Sequence, residues 1–206
     1  MRRWREALVL LLLFPLFVLT RIHHRGLRWD YWWAQVRQAL AKCGKDATFR
    51  TAPFADLIIA STALPFDARI LCVGARNARE PAVWRERGYH RVIAIDLLPG
   101  PGLVMDMHRL QFPDDHFGLV YASHSYEHAW DARVALAEST RVLRRNGYLF
   151  AAFPVAFRPT AHDRNNFRDA EGFLRHLPPD SRWSRLWTRE TLTECAVLLR
   201  LESKAA

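Results

Sequence analysis

The sequence predicts an α/β domain built on a doubly wound, mostly parallel sheet, and two observations support this prediction. Short apolar runs alternate with helix-like segments from about residue 69 to residue 154. The runs are almost continuously apolar, which is typical of strands buried on both faces of a sheet. Right-handed helical crossovers between such strands place helices on both sides of the sheet. A chain of 206 residues suits one such domain with a short appendage.

The elements of this domain follow one another along the chain. We expect strands at residues 69–74, 91–97, 102–107, 117–124 and 147–154. We expect helices over residues 77–88 and 131–144, and two final strands near the C-terminus. Only about five residues join the second strand to the third, which is too short for a helical crossover. The regular pattern is therefore broken at this one place.

An aromatic helix is predicted before the sheet, over residues 29–42. Trp33, Val36 and Leu40 recur at helical spacing, and Gly44 follows as a plausible end of the helix. The helix either covers the core or lies at a membrane surface, since tryptophan suits both positions.

A short hydrophobic segment lies near the N-terminus. Residues 7–19 are thirteen apolar residues in a row, flanked by basic residues on both sides. A helix needs about 20 apolar residues to cross a bilayer core comfortably, so a span here requires the flanking arginines to reach the surface. We therefore predict a membrane anchor in residues 1–28, followed by the domain in residues 29–206. The basic residues on its C-terminal side favour a cytoplasmic domain.

Two other interpretations of this segment stay open. Its length and basic start also match a cleaved secretory signal, although the residues that follow lack the small-x-small pattern of a cleavage site. A buried helix of a soluble protein fits less well, because arginines bracket the run.

The positive charge of the chain is concentrated in the same region. The net charge is +9, and residues 1–50 carry ten basic and three acidic side chains, so the remainder is nearly neutral. Anionic lipid headgroups explain this placement better than a nucleic acid, and we expect no nucleic-acid partner. Cys43, Cys72 and Cys195 form no Cys-x-x-Cys pair or Cys/His cluster, so neither a metal site nor a disulfide framework is indicated.

Polar residues follow the predicted strands where a ligand binds in doubly wound sheets. Gly74 ends the first strand and allows a tight turn with close backbone approach. Asp96 ends the second strand, where a carboxylate accepts hydrogen bonds from both hydroxyls of a ribose. Asp106 ends the third, where it is placed to accept from an adenine amino group, with Leu97 and Met107 as apolar neighbours.

Residues 106–154 resemble the class I S-adenosylmethionine (SAM) dependent methyltransferases. The segment reads DMHRLQFPDDHFGLVYASHSYEH and continues through a helix ending in RVL to a glycine and a further strand. The resemblance extends from about residue 69 to residue 154. It implies a Rossmann-like sheet of order 3-2-1-4-5-7-6 with the last strand antiparallel, and it implies SAM as cofactor. By resemblance, the cofactor contacts are Gly74, Ala75, Arg76, Asp96, Leu97, Asp106, Met107 and Ser123.

The first turn departs from the pattern of that family. Cys72 stands where the family has an acidic residue, and Arg76 and Ala78 replace later glycines. Arg76 is expected to pair with the carboxylate of the cofactor. The alternative is a domain whose turn has closed and which binds no SAM.

Three histidines are candidates for a base if the methyl acceptor must lose a proton. They are His124, His128 and His162. His162 follows the fifth strand, where many relatives contact their substrates. His128 belongs to the family's Glu-His pair, which is more often structural.

Two functions compete at this point. The first is a SAM-dependent methyltransferase that acts on a small or lipid-like acceptor near a membrane. The second is a methyltransferase-like module that has lost catalysis and acts as a scaffold. Nucleic-acid methylation and nicotinamide-dependent dehydrogenation fit less well, because an Asp/Asn-Pro-Pro-aromatic motif and a GxGxxG motif are both missing from the sequence.

Overall fold

A computed structural model describes residue 15 and residues 29–41, 50–75, 78–98 and 100–204. The helices within these ranges are α1 (Trp29–Ala41), α2 (Thr51–Ser61), α3 (Arg79–Glu86), α4 (Ala132–Val142) and α5 (Ala170–Leu174). The strands are β1 (Ile70–Val73), β2 (Val92–Asp96), β3 (Leu103–Val104), β4 (Phe117–Ser123), β5 (Leu143–Pro154), β6 (Arg182–Glu190) and β7 (Glu194–Ser203). A single 3₁₀ turn covers Tyr126–His128.

The strands form one sheet in the order β3-β2-β1-β4-β5-β7-β6. The pairs from β3 to β5 are parallel, whereas β7 is antiparallel to both of its neighbours. The predicted order and the antiparallel last strand are therefore confirmed. The edges of the sheet are β3 on one side and β6 on the other.

The core lies on both faces of the sheet, as the apolar strands predict. All four residues of β1 are buried, and so are the first six residues of β4. One layer contains α4 and α5, and the other contains α2 and α3. The α4 helix begins at Asp131, whose side chain accepts hydrogen bonds from two amides of the first turn.

The aromatic helix α1 covers the edge of the sheet where the parallel strands end. Tyr31, Trp32 and Val36 are buried against Leu97, the residue after β2. On the other side of α1, Nδ1 of His162 donates to a carbonyl of the helix at 3.0 Å. Of the two predicted locations for this helix, the structure places it over the core.

Several elements differ from the prediction. Helix α5 was not predicted, and β5 begins at Leu143 rather than at residue 147. The third strand is limited to Leu103–Val104 rather than residues 102–107, so Asp106 and Met107 lie in the loop beyond it. The short connection from β2 explains this, since it lets only two residues pair with β2 before the chain turns away. Helix α2 was also not predicted.

The predicted anchor in residues 7–19 falls, apart from Pro15, outside the described residues and stays a prediction. Among the residues that the structure describes, no helix combines the length and apolar character that a membrane crossing requires.

Candidate active site

A cleft opens at the carboxyl ends of the parallel strands, at the place predicted for a ligand. It holds about 500 Å³ of space, part of it open to solvent. The residues that line it are Tyr31, Gln35, Gly74, Ile95, Asp96, Leu97, Met105, Asp106, Met107, His124, Ser125 and His128.

Gly74 makes the tight turn after β1, with a φ of +75°. A Cβ atom added to it would lie 2.5 Å from the hydroxyl oxygen of Ser125. That hydroxyl is fixed in place, because it donates to the carbonyl of Val73 at 2.6 Å. The turn after β1 and the loop after β4 therefore pack so closely that only glycine fits here.

Asp96 ends β2 and faces the cleft. One carboxylate oxygen accepts the backbone amide of Leu98 at 2.9 Å, which orients the side chain. Behind it, burial and then the charge of Asp96 raise the pKa of Glu80 to about 8, so the Glu80 carboxyl is largely protonated at neutral pH.

Asp106 is buried at the opposite wall of the cleft and is held by His108. Its Oδ1 accepts the His108 amide at 3.0 Å and lies 2.5 Å from His108 Nδ1. Nε2 of the same ring accepts the backbone amide of Trp130 at 3.1 Å. Because Nε2 accepts, the proton of the neutral ring resides on Nδ1 and is donated to Asp106.

Tyr31 and Gln35 form the roof of the cleft, one turn apart on α1. The Tyr31 ring meets the edge of the His108 ring at a centroid distance of 5.8 Å. Burial first, and then the charges of Asp106 and Asp96, raise the pKa of Tyr31 well above its usual value. The Tyr31 side chain is therefore a neutral phenol close to the carboxylates of Asp96 and Asp106.

His128 faces the cleft from the 3₁₀ turn after β4. Its Nδ1 lies 2.8 Å from a carboxylate oxygen of Asp163 and 3.3 Å from the carbonyl oxygen of His162. Both neighbours are acceptors, so Nδ1 carries the proton and Nε2 is the basic nitrogen of the neutral ring.

His124 begins the loop after β4 in a left-handed conformation, with a φ of +54°. Its Nε2 lies 2.6 Å from Glu194, and its Nδ1 lies 3.4 Å from the buried Glu127. Burial lowers the pKa of His124, but the hydrogen bonds to Glu127 and Glu194 outweigh this effect and raise it to about 9. His124 is therefore a cation at neutral pH and unsuited to act as a base.

The structure brings most of the predicted site residues together. Gly74, Asp96, Leu97, Asp106, Met107 and His128 all line the cleft. Ala75 is buried beside the turn and Ser123 ends β4 just outside the lining, whereas Arg76 lies outside the described residues. His162 holds α1 by its bond to Ala34 and is not part of the lining.

Sequence reasoning missed the roof of the cleft and the lining residues Ile95, Met105 and Ser125. Tyr31 and Gln35 are four residues apart on an aromatic helix, and this spacing was the available signal. Their position over the cleft depends on contacts with residues 97 to 164 and had no local signature. Ser125 was signalled only by its place after a predicted strand.

The strand order and the antiparallel β7 give the fold of the class I SAM-dependent methyltransferases. Residues 71–151 match the sequence model of the family described as a methyltransferase domain. This match extends from β1 into β5, and the cofactor that the likeness implies is SAM. A comparison with curated proteins finds no sequence match.

Solved structures share the fold at low sequence identity. A SAM-dependent methyltransferase from Aquifex aeolicus is 13% identical with a TM-score of 0.57, covering 76% of this chain and 94% of that one. A S-adenosylmethionine dependent methyltransferase from Mesorhizobium loti is 15% identical with a TM-score of 0.54, covering 72% and 97%. The [4+2]-cyclase SpnF is 18% identical with a TM-score of 0.50, covering 72% and 80%. At these identities the likeness concerns the fold alone.

Proposed function

We propose that this protein uses SAM to methylate a small or lipid-like acceptor in the cleft, close to a membrane. One observation supports this proposal above the others. A glycine turn, two carboxylates and an oriented histidine converge on a single cleft at the carboxyl edge of the sheet. Each of these groups has a task in binding an adenosyl cofactor or in moving a proton.

The residues of the cleft fit an adenosyl group. Asp96 is placed to accept the ribose hydroxyls, and Asp106 to accept from the adenine amino group. Leu97 and Met107 supply apolar surface for the base. Gly74 lets the cofactor approach the backbone, because no side chain fills the turn.

In methyl transfer, the protein has to align the acceptor with the methyl group and, for some acceptors, remove a proton. When bound, SAM would supply a methyl group already activated by its sulfonium sulfur, and the cleft would hold this group in line with the acceptor. His128 takes the acceptor's proton at Nε2, because Asp163 holds the ring in the tautomer that leaves this nitrogen basic. The roof formed by α1 limits water in the cleft.

The membrane part of the proposal is supported by the sequence. The apolar residues 7–19 and the basic residues around them suit an anchor in a bilayer with anionic headgroups, with the domain on the cytoplasmic side. The exposed ring of Trp29, at the start of α1, suits a position near the lipid interface.

Binding of S-adenosylhomocysteine, the demethylated cofactor, tests the proposal directly. The full chain in neutral detergent should show calorimetric heat and a rise in melting temperature with this ligand. Asp96→Ala should abolish both effects, while Asp67→Ala, which removes an exposed aspartate outside the cleft, should preserve them. If the unmodified chain ignores both SAM and S-adenosylhomocysteine, the proposal is wrong.

The second candidate is a module with this fold that does not methylate. It is favoured by Cys72 in place of an acidic residue and by Tyr31, which occupies the roof of the cleft. The cyclase among the fold neighbours is a protein of this fold that is named for another reaction. Cofactor binding without turnover of a broad acceptor panel would favour this candidate.

A further inference from the structure

We propose that a second cavity beside the cleft binds an anionic group of the methyl acceptor, a carboxylate or a phosphate; this inference rests on the proposed function. The cavity holds about 530 Å³ and is open to solvent on one side. Its lining residues are Arg50, Pro53, Phe54, Arg189, Thr191, Glu194 and Ala196.

The cavity is built where β6 turns into β7 and the first turn of α2 faces this turn. Thr191 fixes the connection, since its hydroxyl accepts the Glu194 amide at 2.9 Å and donates to the Glu194 carbonyl at 3.0 Å. Glu194 pairs with Pro154 at the end of β5. The cavity therefore lies on the same carboxyl edge of the sheet as the cleft.

A single ion pair separates the two spaces. His124 lines the cleft, Glu194 lines the second cavity, and Nε2 of the histidine lies 2.6 Å from the carboxylate. An acceptor held in the second cavity would therefore lie beside the cofactor cleft, with the side chains of His124 and Glu194 between them. This proximity links the cavity to methyl transfer rather than to an unrelated ligand.

Among the residues that the structure describes, the cations around the cavity outnumber the carboxylates. The cations are Arg50, Arg189 and His124, and the carboxylates facing them are Glu194 and Glu127. Arg50 lies 3.6 Å from Glu194, so it competes with His124 for one carboxylate. Arg189 forms no ion pair with any residue that the structure describes. An anionic ligand would complete this set of charges.

The neighbour of Arg189 in the sequence does not neutralise it. Glu190 points to the other face of β6, where its carboxylate accepts the amide of Ala170 at 3.1 Å. Strand alternation therefore separates the two side chains. The charge of Arg189 contributes to lowering the pKa of Glu194, but the two side chains form no ion pair. A guanidinium that lines a cavity in this way suits bidentate recognition of a phosphate or a carboxylate.

The rest of the lining is apolar and suggests what is attached to the anion. Phe54 and Ala196 are buried, and Pro53 forms part of the rim. Leu192, at the tip of the turn between β6 and β7, is 93% exposed. These residues suit an acceptor whose acidic group carries a short hydrocarbon portion.

Hexyl phosphate is the probe that tests this inference, with hexanol as the uncharged comparison. We expect the full chain, saturated with S-adenosylhomocysteine in neutral detergent, to bind hexyl phosphate at least about tenfold more tightly than hexanol. Arg189→Gln should weaken hexyl phosphate binding about tenfold. Arg185→Gln is the matched control on the same strand. This arginine does not line the cavity, and its guanidinium pairs with the carboxylate of Glu171 at a distance of 2.7 Å.

Equal binding by wild type and Arg189→Gln would overturn the inference, and so would an equal loss in Arg185→Gln. Arg50→Gln is a second variant, and it should weaken binding as well. Cofactor binding is measured on every variant. If S-adenosylhomocysteine does not bind but hexyl phosphate does so through Arg189, the proposed function fails and the anion site stands without its assigned role.

Vesicles distinguish a lipid headgroup from a soluble acceptor. The full chain is sedimented with phosphatidylcholine vesicles that contain or lack phosphatidic acid. If Arg189→Gln reduces binding to the acidic vesicles about tenfold, the anionic group belongs to a lipid. If it reduces only hexyl phosphate binding, the acceptor is soluble. Unchanged binding to both probes refutes the site.

Discussion

The imidazole of His108 binds the carboxylate of Asp106 through Nδ1, at 2.5 Å, while its Nε2 accepts the backbone amide of Trp130. The ring stacks on the Trp130 indole at a centroid distance of 4.6 Å. One buried histidine therefore connects the loop after β3 to the segment that precedes α4. The position of the Asp106 carboxylate in the cleft depends on this connection.

We expect His108→Ala to destabilise the fold by about 2 to 4 kcal/mol, because it removes the ring that binds the buried Asp106 carboxylate and accepts the Trp130 amide. Denaturant unfolding measures the loss. The affinity for S-adenosylhomocysteine should fall as well, since Asp106 loses its orientation. The exposed His90 offers a control, and His90→Ala should change neither quantity. Unchanged stability of His108→Ala would contradict the arrangement described.

Gly74→Ala should cost more stability than Gly88→Ala. Both glycines have a positive φ, so both substitutions carry a backbone penalty of about 1 to 2 kcal/mol. At Gly88 the new methyl group meets only the side chain of Phe66, at 3.4 Å, whereas at Gly74 it meets Ser125 at 2.5 Å. We expect a total of about 3 kcal/mol or more at Gly74, with loss of cofactor binding. Equal unfolding free energies for the two variants would refute the close packing at the turn.

His128→Gln should reduce kcat about 100-fold or more on an acceptor that must lose a proton, while binding of S-adenosylhomocysteine is retained. Asp163→Asn should cause a smaller loss, because an amide oxygen still accepts from Nδ1. His162→Ala should behave differently. It removes a hydrogen bond to α1, so it should raise the KM for SAM more than it lowers kcat. If His162→Ala loses all turnover while His128→Gln keeps normal activity, then His162 is the base and His128 is not.

The His124 cluster makes stability depend on pH in the alkaline range. Folded His124 binds its proton more tightly than the unfolded chain does, because its pKa is raised from 6.5 to about 9. Its contribution is complete below about pH 6.5 and is lost as the pH rises through 9. The effect is at most about 3 kcal/mol and smaller after solvent screening of the partly exposed ring. Unfolding free energies from pH 6 to pH 10 should therefore fall more steeply for wild type than for His124→Gln. Parallel curves would show that the two glutamates do not hold the proton.

Glu194 makes the stability of the fold depend on pH in the acidic range, with the opposite sign. The hydrogen bond from His124 is the main cause that lowers the pKa of this carboxyl. Its stabilisation is present above the unfolded pKa of about 4.5 and is lost as the pH falls through the folded value. Unfolding between pH 3 and pH 5 should be less pH-dependent in Glu194→Gln than in wild type. An unchanged dependence would contradict the contact.

The sheet and the residues at the ends of its strands could be predicted from the sequence to a large extent, whereas the roof of the site could not. The apolar runs of β1, β2 and β4 signal burial by their composition alone. Asp96 and Gly74 stand at the ends of those runs, so their convergence follows from parallel topology. The strand order itself came from the family resemblance of residues 69–154.

Residues distant in sequence account for what was missed. His124 and Glu194 are 70 positions apart, and no local pattern indicates that they meet. Tyr31 enters the cleft because α1 packs on Leu97, a contact that depends on the whole fold. The predicted length of the third strand was too great, because its apolar composition continues beyond Leu103 and Val104, the two residues that pair with β2.

The two edge strands of the sheet, β3 and β6, hinder pairing with a further strand in different ways. On one side β3 is only two residues long and offers few backbone groups to a further strand. On the other side β6 presents Arg182, Arg185 and Arg189 as exposed side chains. A second copy that aligned with this border would bring like charges together, so the strand resists edge-to-edge aggregation. The protein should therefore stay dispersed at low ionic strength and associate more readily when salt screens these arginines.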